Sequence, residues 1–312
     1  VEISGRTSRP KAILIAGPTA SGKSALATRL ASELGGVIIN ADSMQVYRDL
    51  EVLTARPGAA DTAAVRHELY GVIGAGDAYS VGRYVADAAV HYKAARDAGA
   101  VAIFVGGTGL YFRGLLEGLS PVPAIDPAIR RKWRDAAAED GGAALHDALR
   151  VRDGEMARRL SSTDVQRLVR ALEVIEGTGR SLEFWQRQPA MPVVAEQDTV
   201  KLVADVDRAQ LYRRSDDRFR AMVKGGALFE VARLQAMQLD LGLPIMRALG
   251  VRPLIAYIEG QCGLEEATVR AQTDTRHYIK RQLTWLRRNM ISWKTVDLFD
   301  MKRNKPLNDI FS

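Results

Sequence analysis

Residues 17–24 read GPTASGKS, a full match to G-x-x-x-x-G-K-[ST], and follow directly on the apolar run Ala12-Ile13-Leu14-Ile15-Ala16. That run has the composition of a buried strand, and Ala25, Leu26, Ala27, Leu30 and Ala31 continue beyond the motif as a helix starting near Lys23. A strand that turns at once into a helix needs residues tolerant of unusual backbone angles, which Gly17 and Gly22 supply. Folded that way, the loop of Gly17, Pro18, Thr19, Ala20, Ser21, Gly22, Lys23 and Ser24 aims backbone amides into one concavity that fits a phosphate. Lys23 adds a mobile cation, Ser24 a hydroxyl able to hold Mg2+, and the helix the positive end of its dipole. A glycine-rich turn with a chance lysine is the plainer alternative. The strand before and the helix after favour a di- or triphosphate site.

The chain has 312 residues, 47% of them hydrophobic, which suffices for one large domain or two ordinary ones. Its single cysteine, Cys262, excludes an internal disulfide framework, and His67, His91, His146 and His277 are too scattered to suggest a zinc site with it. No apolar stretch approaches the roughly 18–20 residues that span a bilayer. The opening segment VEISGRTSRPK lacks the apolar core of a signal peptide. The expectation is a cytoplasmic monomer without membrane association, in which residues 1–11 form a disordered tail.

Further along, Gly36-Val37-Ile38-Ile39-Asn40 reads as a second parallel strand, which puts Asp42 at its C-terminal end. Ligands of open α/β sheets sit at that edge, so Asp42 is a candidate catalytic carboxylate, or else a cap for Ser43-Met44-Gln45-Val46-Tyr47. One carboxylate is not expected to serve both purposes. A third strand, Val101–Val105, runs into Gly106-Gly107-Thr108-Gly109, where glycines suit close approach of a ligand and Thr108 offers it a hydroxyl; an ordinary tight turn is the alternative. This strand does not end in the aspartate expected of an NTP-hydrolysing motor. Residues 200–207, VKLVADVD, are most simply a late core strand.

The expected fold is therefore α/β, a P-loop NTPase-like core with a mostly parallel sheet, formed by residues 12–119 and 193–312. Between them, prolines at 121, 123 and 127 and again at 189 and 192 bracket a stretch of helical periodicity, read as a helical insertion domain over 120–192. The net charge is +7, with seven Lys or Arg between Arg270 and Lys294 facing one acid, Asp274. Helical spacing there puts Ile279, Leu283, Leu286 and Met290 on one face and His277, Lys280, Arg281, Thr284, Arg287 and Arg288 on a neighbouring one. Composition alone leaves a solvated face and a nucleic-acid contact equally open.

Taken in order, GPTASGKS (17–24), NADSMQVYRDL (40–50) with TARP (54–57), VGGTGLYFRGLLEGL (105–119), QRLVRALEV (166–174), LPIMRALGV (243–251) and YIKRQLTWLR (278–287) resemble the tRNA dimethylallyltransferases. The resemblance runs over nearly the whole chain and is far more specific than any phosphate loop. It implies transfer of a dimethylallyl group from dimethylallyl diphosphate to N6 of the adenosine immediately 3′ of the anticodon, position 37, in tRNAs that read codons beginning with U. It further implies Asp42 as the base, and diphosphate stabilised by the phosphate loop, Mg2+ at Ser24, Thr108 and Arg218. The tRNA anticodon stem-loop is expected on Asp42, Ser43, Met44 and Gln45; on Gln166, Arg167, Leu168, Val169 and Arg170; on Arg247 and Arg252; and on Lys280, Arg281, Gln282, Thr284, Trp285 and Arg287. The chain departs from the family pattern at Leu53 and Arg56, where glycine and lysine are usual, and at Val251, where tyrosine is usual. No Cys/His finger follows Ser312, so the resemblance is read as one to bacterial-type members. Two rivals are a small-molecule P-loop kinase, which leaves the basic helix unexplained, and a non-catalytic RNA-binding protein, which has no use for Asp42 and Thr108.

Overall fold

The computed structural model describes residues 10–298. Six strands, β1 (Ala12–Ala16), β2 (Gly36–Asn40), β3 (His67–Glu68), β4 (Val101–Gly106), β5 (Thr199–Asp205) and β6 (Lys294–Asp297), form one sheet in the order β3-β2-β4-β1-β5-β6, with every pairing parallel. β1 and β4 lie at its centre and are buried along their whole length. They read as continuous apolar runs because both faces are covered. The alternation of a strand divides their side chains between two cores. Ile13, Ile15 and Ile103 meet Leu26, Ala27 and Leu30 of the helix Lys23–Leu34 on one face, while Leu14, Phe104 and Ile39 meet Tyr84, Ala88 and Leu286 on the other. β5 pairs directly with β1 from Ala12↔Thr199 to Ala16↔Val203, and its terminal Asp205 is exposed, as a late core strand requires.

Residues 1–9 of the expected tail lie outside the described residues, as do 299–312. Pro10 and Lys11 belong to the core instead: Pro10 is buried, Lys11 N–H donates to Asp198 O (3.0 Å), and Lys11 O accepts Ala102 N–H (3.1 Å). Chain extended along β1 continues its ladder one residue upstream of the apolar run.

A separate compact unit, Glu117–Pro192, intervenes between β4 and β5. It begins three residues before the expected boundary, because the helix Gly109–Glu117 runs to its first residue. Its main helices span Pro127–Glu139, Gly141–Arg152 and Val165–Thr178, packed on a core of Trp133, Leu145, Leu149, Leu168 and Leu172. Asp126 caps the first of them by accepting Ala128 N–H (2.7 Å), with Pro127 at the first helical position where no amide is lost. Among the described residues no helix is long and apolar enough to cross a membrane.

Candidate active site at the carboxyl edge of the sheet

Because β2, β4 and β1 are adjacent, the loops that leave them lie side by side, and main-chain bonds knit them together. Gly17 N–H donates to Gly106 O (3.2 Å), Ala41 N–H to Val105 O (2.8 Å) and Thr108 N–H to Ala41 O (3.2 Å). In the phosphate loop, Ala20 and Gly22 take left-handed backbone angles (φ 63° and 93°), and Lys23 opens the helix. Among the described residues no acceptor reaches the amides of Ala20, Gly22, Lys23 or Ser24. Four unpaired donors at a helix N-terminus are an anion site. The Lys23 ammonium donates to Pro18 O (3.2 Å), and the Ser24 hydroxyl is exposed with no protein partner among the described residues.

The positive charge here is held against a desolvation cost. Burial pushes the Lys23 ammonium down to about 8; Asp42 opposes that shift and Arg218 adds to it. Burial likewise lowers Arg218, again opposed by Asp42. The Arg218 guanidinium donates through Nη2 to the Thr19 hydroxyl. Asp42 also raises Tyr278, whose burial is the larger cause. Lys23, Arg218, Asp42 and Tyr278 therefore share one electrostatic neighbourhood, although residue numbers up to 255 apart separate them.

The Asp42 carboxylate is held by its own loop through one oxygen. Asp42 Oδ1 accepts Met44 N–H (3.0 Å), and Asn40 Oδ1 accepts Asp42 N–H (2.8 Å), so the backbone around it is fixed. Among the described residues no donor engages Oδ2. One oxygen ties down the turn that follows, in which no helix forms, and the other faces no donor among the described residues.

Asp42 lines a cavity of about 270 Å³ with Thr19, Ser43, Arg218, Tyr278, Arg247 and Arg281 as polar walls, and Met44, Leu53, Phe219, Met222 and Leu249 as apolar ones. Sequence reasoning missed Phe219, Met222 and Leu249 of the apolar wall and also Ser215, which is buried, lines the same cavity and has an unpartnered hydroxyl among the described residues. Its spacing was the available signal: Ser215 lies one helical turn before Arg218 on the helix Arg208–Met222, and therefore on the same face. A smaller space of about 210 Å³ is lined by Arg247, Arg252, His277 and Arg281, with Asp274 as its acid.

Several expected contacts are placed differently. Gln282 is buried on the inner face of the helix Leu264–Asn289, where its Oε1 accepts Thr19 N–H (3.0 Å) and its Nε2 donates to Gly107 O (3.1 Å); it is not on the helix's exposed basic face, where RNA contact was expected. Trp285 is partly buried against Gly109, where an added Cβ would lie 2.2 Å from the indole. The buried stripe of this helix passes through Thr268, Gln272, Thr275, Ile279, Gln282 and Leu286, with Leu283 only partly buried. Lys280, Arg281, Thr284 and Arg287 are exposed, as expected. In the helical unit, Leu168 is fully buried and cannot offer its side chain to RNA; Val169 packs on the same core. Gln166 and Arg167 are exposed, Arg167 beside Asp164 (3.2 Å), while Arg170 pairs with buried Glu173 (3.4 Å). Gln45 is turned to the carbonyls of Thr54 and Ala55 (2.9 Å each).

The glycines after β4 serve protein packing. A Cβ on Gly106 would lie 2.0 Å from Ala41 O, and one on Gly107 2.3 Å from Gln282 Nε2. Thr108 Oγ1 accepts Ser43 N–H (2.9 Å) and donates to Ser43 Oγ (3.3 Å), joining the β4 loop to the Asp42 loop. The departures from pattern are also legible. Leu53 N–H donates to the Glu230 carboxylate (2.9 Å), which also collects the amides of Glu51 and Val52. The Arg56 fork is turned inward to Tyr47 O (3.3 Å) and Glu51 (2.8 Å), so its charge is spent on the loop, and Val251 fills the core.

A parallel sheet with open amides, a carboxylate and two partly buried cations at one edge has the layout of a P-loop-type group-transfer site. The IPP transferase family model matches residues 45–289, and the isopentenyl transferase model residues 10–71. The chain is 50% identical to the tRNA dimethylallyltransferase of Bradyrhizobium sp. strain BTAi1 over 92% of its own length and 95% of that protein, and 50% identical to that of Methylobacterium radiotolerans over 93% and 94%. Among solved structures it is similar to the full-length tRNA isopentenylpyrophosphate transferase of Bacillus halodurans, with TM-score 0.67 and 29% identity over 94% and 93% of the two chains. The fold also matches a eukaryotic dimethylallyltransferase acting on tRNA, with TM-score 0.80 and 24% identity over 98% and 84%. The chain belongs to the tRNA dimethylallyltransferase family.

Proposed function

We propose that the protein prenylates tRNA: it joins C1 of dimethylallyl diphosphate to N6 of the adenosine 3′ of the anticodon, position 37, in tRNAs reading codons that begin with U. The observation that carries this reading is the placement of the Asp42 carboxylate, one oxygen unengaged, in the same cavity as Thr19 and Arg218 beside a cradle of unpaired amides. An adenine N6 amine is a weak nucleophile because its lone pair is delocalised into the ring. As the N–C bond forms, the C–O bond to diphosphate breaks and the diphosphate leaves with the electron pair, while the N6 proton passes to Asp42 Oδ2. The loop amides, Lys23 and Arg218 meet charge as it builds on the leaving group, in a site whose burial strengthens each interaction. Thr108 holds Ser43 against the Asp42 loop and donates to the departing oxygen once diphosphate replaces Ser43 Oγ as its acceptor.

Magnesium fits this donor set. The ion takes few protein oxygens and completes its shell with substrate phosphate and water, and the exposed Ser24 hydroxyl beside the cradle can supply one. It would neutralise charge on the diphosphate.

The target base lies in an anticodon loop and must leave its stack, which costs least in single-stranded RNA. The cavity of about 270 Å³ has apolar walls for a base or prenyl group. Exposed Lys280, Arg281 and Arg287, with Arg247 and Arg252, supply phosphate contacts. Action as a monomer is part of the same proposal, and the tRNA substrate supports a cytoplasmic location. Supplying radiolabelled dimethylallyl diphosphate, Mg2+ and unmodified tRNA tests the reading: label is expected in RNA as N6-prenyladenosine. ATP-dependent phosphorylation of a metabolite, with no label in RNA, would contradict it.

A further inference from the structure

Gln282 is among the most constrained polar side chains at the site, and the chemistry above gives it no part. Only 7% of it is exposed. Its carboxamide spans two loops, accepting Thr19 N–H with Oε1 at 3.0 Å and donating Nε2 to Gly107 O at 3.1 Å. Both partners are main chain, and they belong to the loops after β1 and β4. A neutral side chain with a donor and an acceptor on one carbon is what this bridge needs. The β4 loop is shaped to admit it, since a Cβ at Gly107 would stand 2.3 Å from Nε2. With its amide taken by Gln282 and its hydroxyl by Arg218, Thr19 is held from both sides, while the amides of Ala20, Gly22, Lys23 and Ser24 stay open.

We propose that Gln282 is a positioning residue for the donor site: from the helix that also carries exposed Lys280, Arg281 and Arg287, it fixes the phosphate loop against the β4 loop and so sets the affinity for the donor diphosphate. This rests on the reading of the loop as a diphosphate site. Gln282 touches neither substrate; it acts through Thr19 and Gly107. Loss of the bridge leaves a buried amide and a carbonyl unpaired and frees the loop to relax away from the geometry that presents its open amides together.

The test is equilibrium binding of Mg2+ with dimethylallyl diphosphate, and in parallel of an anticodon stem-loop at fixed salt, to the wild-type protein, Gln282→Met, Gln282→Glu, Gly107→Ala and Gly107→Ala/Gln282→Ala. Gln282→Met keeps length and loses both bonds, so the donor Kd should rise about 5- to 150-fold, the span of two net hydrogen bonds. RNA affinity should stay within twofold and kcat at saturating donor within severalfold. Gln282→Glu keeps the acceptor and loses the donor; its deficit should shrink as pH falls, because a protonated carboxyl can again donate to Gly107 O. Gly107→Ala should weaken donor binding by displacing Gln282, and do so far less in the Gln282→Ala background. Folded Gln282→Met with unchanged donor affinity, or with RNA affinity lost in its place, overturns the proposal. A wild-type protein that binds no donor overturns the diphosphate site itself, and this proposal with it.

Discussion

Two glycine-rich loops leave the same edge of the same sheet, and they use glycine for different ends. In the loop after β1, Gly22 adopts a left-handed angle with nothing nearer to its absent Cβ than Leu298 at 3.8 Å, and the amides around it are left open. In the loop after β4, Gly106, Gly107 and Gly109 adjoin Ala41, Gln282 and Trp285, each of which would overlap a methyl group. The first loop is open to a ligand and the second is filled by protein. Glycine at a sheet edge therefore says that something comes close, and only the unpaired amides and the adjacent cation say that it is an anion. Gly17 shares both characters: it opens the phosphate loop, yet Ala204 Cβ would stand 2.7 Å from its Cβ.

That contrast can be broken most forcefully at Lys23. Lys23→Met should reduce kcat/KM for the donor by about 10³, the upper end of the 10²–10³ typical of one lost neutral donor, because a full charge is removed. A loss below tenfold in steady-state kinetics would mean that the open loop is not where diphosphate sits. In the filled loop the penalty should fall on folding instead. Gly109→Ala forces the Trp285 ring aside and should cost about 1–3 kcal/mol of stability by denaturant unfolding. Gly22→Ala should cost only about 1–2 kcal/mol from its backbone angle. If Gly109→Ala were stable but unable to bind donor, the distinction between the loops would be wrong.

A smaller effect sharpens the electrostatics of the open loop. The Lys23 ammonium of the donor-free protein is charged below about 8 and loses its proton above it, so affinity for Mg2+ with inorganic pyrophosphate should fall as pH rises through that value. Bound anion favours the charged form, which moves the midpoint upward in the complex. Lys23→Met should show no such step in a calorimetric titration across pH 7–10. Smallest of all, Arg281→Gln and Arg287→Gln should each lower the salt slope of tRNA binding by about one unit, and a slope unchanged by both would return that helix face to a solvated surface.

Much of this could be read from the chain before any fold was known. The run Ala12–Ala16, the motif at 17–24 and the helical spacing beyond Lys23 imposed the strand, cradle and helix, because each makes a local demand on the backbone. Asp42 was legible from its place after an apolar run. The engagement of only one of its oxygens was not, since that depends on where Met44 N–H points. Gln282 was misread for the same reason. It sits among cations in YIKRQLTWLR, and only the packing of the helix on Gly107 and Gly109 turns it inward. The apolar stripe passes through Gln282 and Thr275, which hydropathy alone assigns to the outside. Leu168 was the converse case, an apolar residue inside a motif whose side chain serves the helical unit's own core.

In the proposed reaction Asp42 takes the proton from an adenine amine while a diphosphate departs from the adjacent cradle. Asp42→Asn keeps the oxygen that accepts Met44 N–H and removes the basic one, so it tests chemistry with the loop geometry preserved. Single-turnover transfer of labelled dimethylallyl to tRNA already bound to the enzyme should slow by about 10²–10⁴, the usual reach of a general base, with tRNA affinity changed less than severalfold. A wild-type rate in that variant, or a large loss of tRNA affinity with normal transfer, would contradict the account.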